Sequence, residues 1–163
     1  MNTQDTLTLV QSLAERLLAR GAMLATAESC TGGLIAAACT ELAGSSAWFD
    51  RGFVTYSNQA KTELLGVDAE LITQHGAVSE PVARAMAQGA LDRAKVDYGV
   101  AVTGVAGPSG GSPDKPVGTV WLAWAARDGR LLSRVCLFEG DRAHIRQQTC
   151  IEALQGLIRL AQA

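Results

Sequence analysis

"VGTVWLAWAARDGRLLSRVCLF", residues 117–138, reads as two strands joined by a tight turn. Branched, aromatic and leucine-rich runs flank Arg127-Asp128-Gly129, and an Asp-Gly pair between such runs is a strong hairpin signal. The two strands are therefore antiparallel neighbours, the second beginning near Arg130. Before them lies a third strand, "YGVAVTGVAG" at 98–107, and further upstream strands and helices alternate. Residues 3–20 place Leu7, Val10, Leu13, Ala14, Leu17 and Leu18 at helical spacing, with Gly21 as the stop. A short buried strand follows over 22–27, then a helix from about Thr31 to Leu42. The β-branched and aromatic content of "AWFDRGFVTYS", 47–57, predicts another strand. Asn58 is the expected cap of a short helix through Leu65, and "DAELITQHG", 68–76, predicts a second short helix. A longer one occupies "SEPVARAMAQGALDRAKV", 79–96, with Ser79 as cap and Glu80 and Pro81 in its first turn. The end, from Asp141 to Leu160, is helical. Helices between strands plus one hairpin predict an α/β fold, a three-layer αβα sandwich with a mixed, mostly parallel sheet.

The chain of 163 residues is 48% hydrophobic and 18% charged, enough apolar surface for the core of a single domain over 1–163. A formal net charge of -2 supplies no basic field for a phosphate backbone, and only Arg142 and Arg146 cluster among the arginines, so no nucleic-acid partner is expected. The longest apolar runs fall short of the ~20 residues a bilayer span needs, and the N-terminus has no signal-peptide core, so a cytoplasmic protein without a membrane partner is expected. Cys30, Cys39, Cys136 and Cys150 form no CxxC pair; reduced thiols and no metal site are the expectation.

Two stretches carry chemistry. "TAESCTGG", 26–33, joins the first predicted strand to a helix. Ser29 suits a helix cap, but capping does not explain Gly32 and Gly33, which weaken a helix start unless something approaches the backbone closely. Amides of Cys30, Thr31, Gly32 and Gly33 at a helix N-terminus would suit a phosphate or the oxyanion of an acyl-transfer intermediate. "GPSGGSPDKPVG", 107–118, is a long Gly/Pro/Ser loop that begins just past a predicted strand end at Thr103 and Gly104. Ligands of open α/β sheets gather outside the carboxyl ends of strands. Parallel strands ending near Ala27, Tyr56 and Gly104 would bring Ser29, Tyr56 and this loop to one edge.

A serine nucleophile needs a base. His75 lies in a turn and His144 in the terminal helix, so neither is favoured. Lys61 is the alternative: with Asn58 as cap it sits in a first helical turn, where the helix dipole disfavours the ammonium form, and burial would lower its pKa further. Tyr56 could bridge the two as a hydroxyl relay. Glu28 serves equally as a structural hydrogen-bonder or an acid. Arg142 either grips a phosphate or only opens the last helix after Asp141, its expected N-cap.

"TAESCTGGLIA", "GFVTYSNQAK", "HGAVSEPVA", "VTGVAGPSGG" and "KPVGTVWLA", with "GDR" at 140–142, closely resemble the CinA C-terminal-domain family, and within it the stand-alone bacterial nicotinamide-nucleotide amidohydrolases. The likeness covers about residues 5–160 and points to the single-domain form. It implies conversion of nicotinamide mononucleotide to nicotinic acid mononucleotide and ammonia in pyridine-nucleotide recycling. It also implies the αβα sandwich and a homo-oligomer, a dimer or larger. The family's serine falls on Ser29, its tyrosine and lysine on Tyr56 and Lys61. Joined to the residue reading, the expected mechanism has Lys61, helped by Tyr56, activate Ser29, with the Cys30 and Thr31 amides on the oxyanion and no metal or organic cofactor. The substrate phosphate is expected on Gly32 and Gly33, on the loop from Gly104 through Gly107 to Gly111, or on Arg142. A non-catalytic nucleotide-binding or adaptor module and an amidohydrolase for another small amide are the alternatives.

Overall fold

A computed structural model describes residues 3–162. In chain order the elements are α1 (Thr3–Arg20), β1 (Leu24–Glu28), α2 (Leu34–Thr40), β2 (Phe49–Val54), α3 (Asn58–Leu65), α4 (Ala69–His75), α5 (Glu80–Ala94), β3 (Tyr98–Gly104), β4 (Thr119–Ala126), β5 (Leu131–Leu137) and α6 (Arg142–Gln162). The strands form one sheet in the order β2-β1-β3-β4-β5. β1 pairs in parallel with β2 and β3, while β4 runs antiparallel to both its neighbours. Four strands thus share a direction and only β4 is reversed, which is the mixed, mostly parallel sheet expected.

Along the central strands, successive residues alternate between large and small. Leu24, Val100, Val102, Leu122 and Trp124 face α1, α2 and α6, whereas Ala25, Ala27, Ala101, Ala123 and Ala125 face α5 with α3 and α4 behind it. Both faces are covered, so the strands read as apolar runs rather than as polar alternations. The alanine face lets α5 approach closely: a Cβ on Gly99 would stand 3.1 Å from the Ala87 carbonyl oxygen. On the other face Trp124 lies over Gly156 of α6 and donates its indole N–H to the Ala153 carbonyl at 3.0 Å. Trp48 is buried in the same layer.

The chain passes from β1 to β2 on one side and then returns to β3 on the other. Strand order therefore reverses at β1, and the crevice outside its carboxyl end is where such sheets bind ligands. Glu28, Val54 and Gly104 end the three parallel strands at this edge.

Candidate active site

The first parallel strand ends on a carboxylate. Glu28 is fully buried and accepts from Thr31 Oγ1 at 2.6 Å, from the Ile35 amide at 2.9 Å and from the Ala36 amide at 3.0 Å. The orphan amides at the start of α2 are thereby filled by the chain's own anion. This corrects one expectation and closes one alternative. Helix α2 begins at Leu34 rather than near Thr31, because Gly32 and Gly33 take left-handed φ values of 57° and 109°. Ser29 is not its cap. It opens a β-turn closed by the Gly32 amide on the Ser29 carbonyl at 3.0 Å.

From the second strand comes the partner of Ser29. Ser57, not Asn58, caps α3: its Oγ accepts from the Ala60 amide at 3.0 Å, and Asn58 is the first helical residue. One turn on, Lys61 folds back beneath its own helix and is 1% exposed. Its Nζ donates to Ser29 Oγ at 3.0 Å and to the Thr55 carbonyl at 2.9 Å, with the Ser57 carbonyl at 3.5 Å. Burial pushes the Lys61 ammonium below the usual lysine range. The Thr55 amide in turn donates to the Glu28 carbonyl at 2.9 Å, so Glu28, Ser29, Lys61 and Thr55 close a ring of one covalent link and three hydrogen bonds.

Above this floor a cavity of about 290 Å³ opens, with Ser29, Cys30 and Lys61 on one side and the glycine loop on the other. Gly104 admits no side chain, since a Cβ would stand 2.6 Å from Val120 Cγ2 and 2.9 Å from the Thr119 carbonyl oxygen. Gly107 holds φ 78° against Val117. The loop is tied at its far end by Lys115, whose Nζ donates to the His75 carbonyl at 2.8 Å. Arg142 spans the mouth, donating to the Gly107 carbonyl and to the Tyr56 hydroxyl, both at 2.9 Å. Asp141 caps the helix below it, accepting from the His144 amide at 2.9 Å.

Of the residues singled out in the sequence, the fold brings Ser29, Cys30, Tyr56, Lys61, Gly104, Gly107 and Arg142 to this cavity. Thr31, Gly32 and Gly33 do not line it: the Thr31 hydroxyl is on Glu28 and the Gly32 amide on Ser29, which leaves the Thr31 backbone N–H, next in the chain to Cys30 of the lining, as the one group of the three that can serve the cavity's edge. Tyr56 stands at the rim, 60% exposed, and Lys61 meets Ser29 without it, so the expected relay between them has no place in this geometry. His75 and His144 are exposed and outside the cavity. Burial pushes the Cys30 thiol up to about 12, which leaves it protonated beside Ser29. Asn58 and Thr103, absent from the sequence reading as site residues, also line the cavity. The clamp that Arg146 places on the Ser29 turn was equally invisible, because it joins positions 115 and 116 residues apart. Among the described residues no cluster of three or more His, Cys, Asp or Glu is disposed to hold a metal ion, and no helix is long and apolar enough to cross a membrane.

The family model of the CinA C-terminal domain matches residues 6–161. The nicotinamide-nucleotide amidohydrolase PncC of Escherichia coli (strain K12) is 53% identical over 157 residues, covering 96% of this chain and 95% of that protein. That of Pseudomonas putida is 55% identical over 154 residues, covering 94% and 95%. Among solved structures, the competence/damage inducible protein CihA from Agrobacterium tumefaciens superposes with a TM-score of 0.93 at 51% identity, covering 96% of this chain and 95% of that one.

Proposed function

The chain belongs to the CinA C-terminal domain family, and from that premise we infer that it is a nicotinamide-nucleotide amidohydrolase, hydrolysing the carboxamide of nicotinamide mononucleotide to nicotinic acid mononucleotide and ammonia. The observation that carries the chemistry is the buried contact of Lys61 Nζ with Ser29 Oγ at 3.0 Å. A neutral amine has two N–H groups and one lone pair. Once Lys61 is neutral, the Thr55 and Ser57 carbonyls take its two N–H groups and the contact to Ser29 reverses, the lone pair accepting the Ser29 hydroxyl proton in place of the bond that the ammonium donates.

The steps follow from that arrangement. Lys61 takes the Ser29 proton as Oγ attacks the carboxamide carbon, and the carbonyl oxygen becomes an oxyanion on the Cys30 and Thr31 amides. The C–N bond breaks as Lys61 returns the proton to nitrogen, releasing ammonia and leaving an ester on Ser29. Water, deprotonated by Lys61, then attacks the ester, and its proton passes back to Ser29. The nucleotide phosphate lies toward the mouth, where Arg142 and the loop amides offer charge and donors, and Tyr56 closes the rim. The reading requires no metal or organic cofactor.

The whole chain acts as one domain in this reading, in the cytoplasm. Leu132, Val135 and Leu137 are exposed on edge strand β5, which favours a homo-oligomer over a monomer; light scattering tests this.

Ammonia release from nicotinamide mononucleotide, with the product identified by chromatography and Ser29→Ala run in parallel, tests the activity. Release by the wild type alone is expected. Equal release by Ser29→Ala would remove the nucleophile assignment, and no release by folded wild type would favour another amide or a binding role.

A further inference from the structure

Arg146 has no part in the chemistry above, yet its guanidinium reaches from α6 into the turn that carries Ser29. Its Nε donates to the Cys30 carbonyl and its Nη2 to the Thr31 carbonyl, both at 3.0 Å. We propose that Arg146 is a positioning residue that aims the Cys30 and Thr31 amides at the oxyanion, an inference that rests on the amidohydrolase reading.

In a trans peptide the carbonyl and the following N–H point in opposite directions. Holding the Cys30 carbonyl on Arg146 therefore turns the Thr31 N–H away from Arg146. The Ser29 carbonyl is held by the Gly32 amide, which fixes the Cys30 N–H in the same manner. Four other amides of this segment are engaged, Gly32 on Ser29, Leu34 on Thr31, Ile35 and Ala36 on Glu28; Gly33 is not among them, and it does not line the cavity. Among the described residues neither the Cys30 nor the Thr31 N–H is bonded to a backbone or side-chain oxygen, the Cys30 N–H lies toward its own Sγ, and both groups follow Ser29 directly in the chain.

The clamp has something to resist. Gly32 and Gly33, in left-handed conformations directly after the turn, leave the Cys30–Thr31 peptide plane free to rotate once the Cys30 carbonyl is released, whereas the Thr31 carbonyl keeps the Leu34 amide at 3.1 Å. Glu28 fixes the turn's far side through Thr31 Oγ1, but no side chain other than Arg146 bonds to the two carbonyls among the described residues. A guanidinium is suited to this because its N–H groups form a rigid planar fork that holds two acceptors side by side.

An oxyanion exists only along the reaction path, so the loss of Arg146 should reach kcat and spare KM. With nicotinamide mononucleotide as substrate, Arg146→Ala should lose roughly 10–100-fold in kcat with KM within about twofold, somewhat less than outright removal of an oxyanion donor. Arg146→Lys, able to reach only one carbonyl well, should lose less. Added guanidinium ion should restore part of the Arg146→Ala turnover, and methylammonium should not.

A folded Arg146→Ala with wild-type kcat would overturn the proposal, as would a loss carried by KM alone. Loss without guanidinium rescue, or failure of both variants to fold, would make Arg146 a residue of stability and overturn it equally. A wild type that releases no ammonia would overturn the amidohydrolase reading itself, and this inference with it.

Discussion

At the floor of the cavity Ser29 and Lys61 are buried, and each is held by backbone that is itself hydrogen-bonded; at the mouth Tyr56 and Arg142 are exposed and hold chiefly each other. The floor costs stability, since it buries an amine and a carboxylate. The mouth costs little, because its charge stays in water. In the proposed mechanism the groups assigned to the transition state are the fixed ones, and the groups assigned to the nucleotide's charged end are the accessible ones. On this division, damage to the floor should appear in kcat and damage to the mouth in KM.

The largest effect is expected at Lys61. Lys61→Met should lower turnover by about 10³-fold, within the range for a general base. Lys61→Arg should not restore it, because a guanidinium holds its proton at any working pH. The sign of the pH dependence follows from burial, which disfavours the ammonium form and lowers the Lys61 pKa in the folded protein. The neutral, competent amine therefore accumulates closer to neutrality than in an exposed lysine. In the wild type, kcat/KM should rise with pH, with the midpoint of the rise below the ordinary lysine value of about 10.4. A rising limb at that ordinary value, or full turnover in Lys61→Met, would break the contrast between floor and mouth.

A smaller effect is expected at Arg142. Its guanidinium is the charged group at the mouth, and a charge-assisted hydrogen bond contributes about 1.5–3 kcal/mol. Arg142→Ala should raise KM for nicotinamide mononucleotide by roughly 10–100-fold with kcat within about threefold. Steady-state kinetics decides it: a loss confined to kcat would move Arg142 from binding to chemistry.

Much of this was legible because the signals are local. Asp128-Gly129 between two apolar runs specifies the β4–β5 hairpin, and the Ala126 amide on the Arg130 carbonyl at 2.9 Å closes it. The spacing of Val10, Leu13 and Leu17 predicts α1, and those side chains lie in the core. What the sequence did not reveal was decided by long-range partners. Glu28 bonds amides seven and eight positions ahead, and this, with the two glycines, overrides the capping signal of Ser29. Tyr56 looked like a relay because it lies five positions before Lys61, but α3 turns the lysine inward and leaves the tyrosine at the rim. Arg146 reaches its carbonyls only once α6 has packed beside α2.

The smallest effect separates two adjacent residues. Ser57 accepts the Ala60 amide, and its own carbonyl stands 3.5 Å from Lys61 Nζ, so the cap and the base share one turn of α3. Ser57→Ala removes the side-chain bond and keeps the carbonyl. It should therefore cost about 1 kcal/mol of stability, or about 2–4 °C in Tm for a chain of this length, while turnover falls only slightly. Asn58, one position later, has no capping bond to lose, and Asn58→Ala should leave Tm nearly unchanged. If Asn58→Ala proved the more destabilising, the helix would begin one residue later than Ser57 allows. The Ser57 carbonyl, which accepts the Lys61 amide at 3.3 Å and stands 3.5 Å from Lys61 Nζ, would then lie outside the helix, and the floor would lose one of the acceptors that hold the amine.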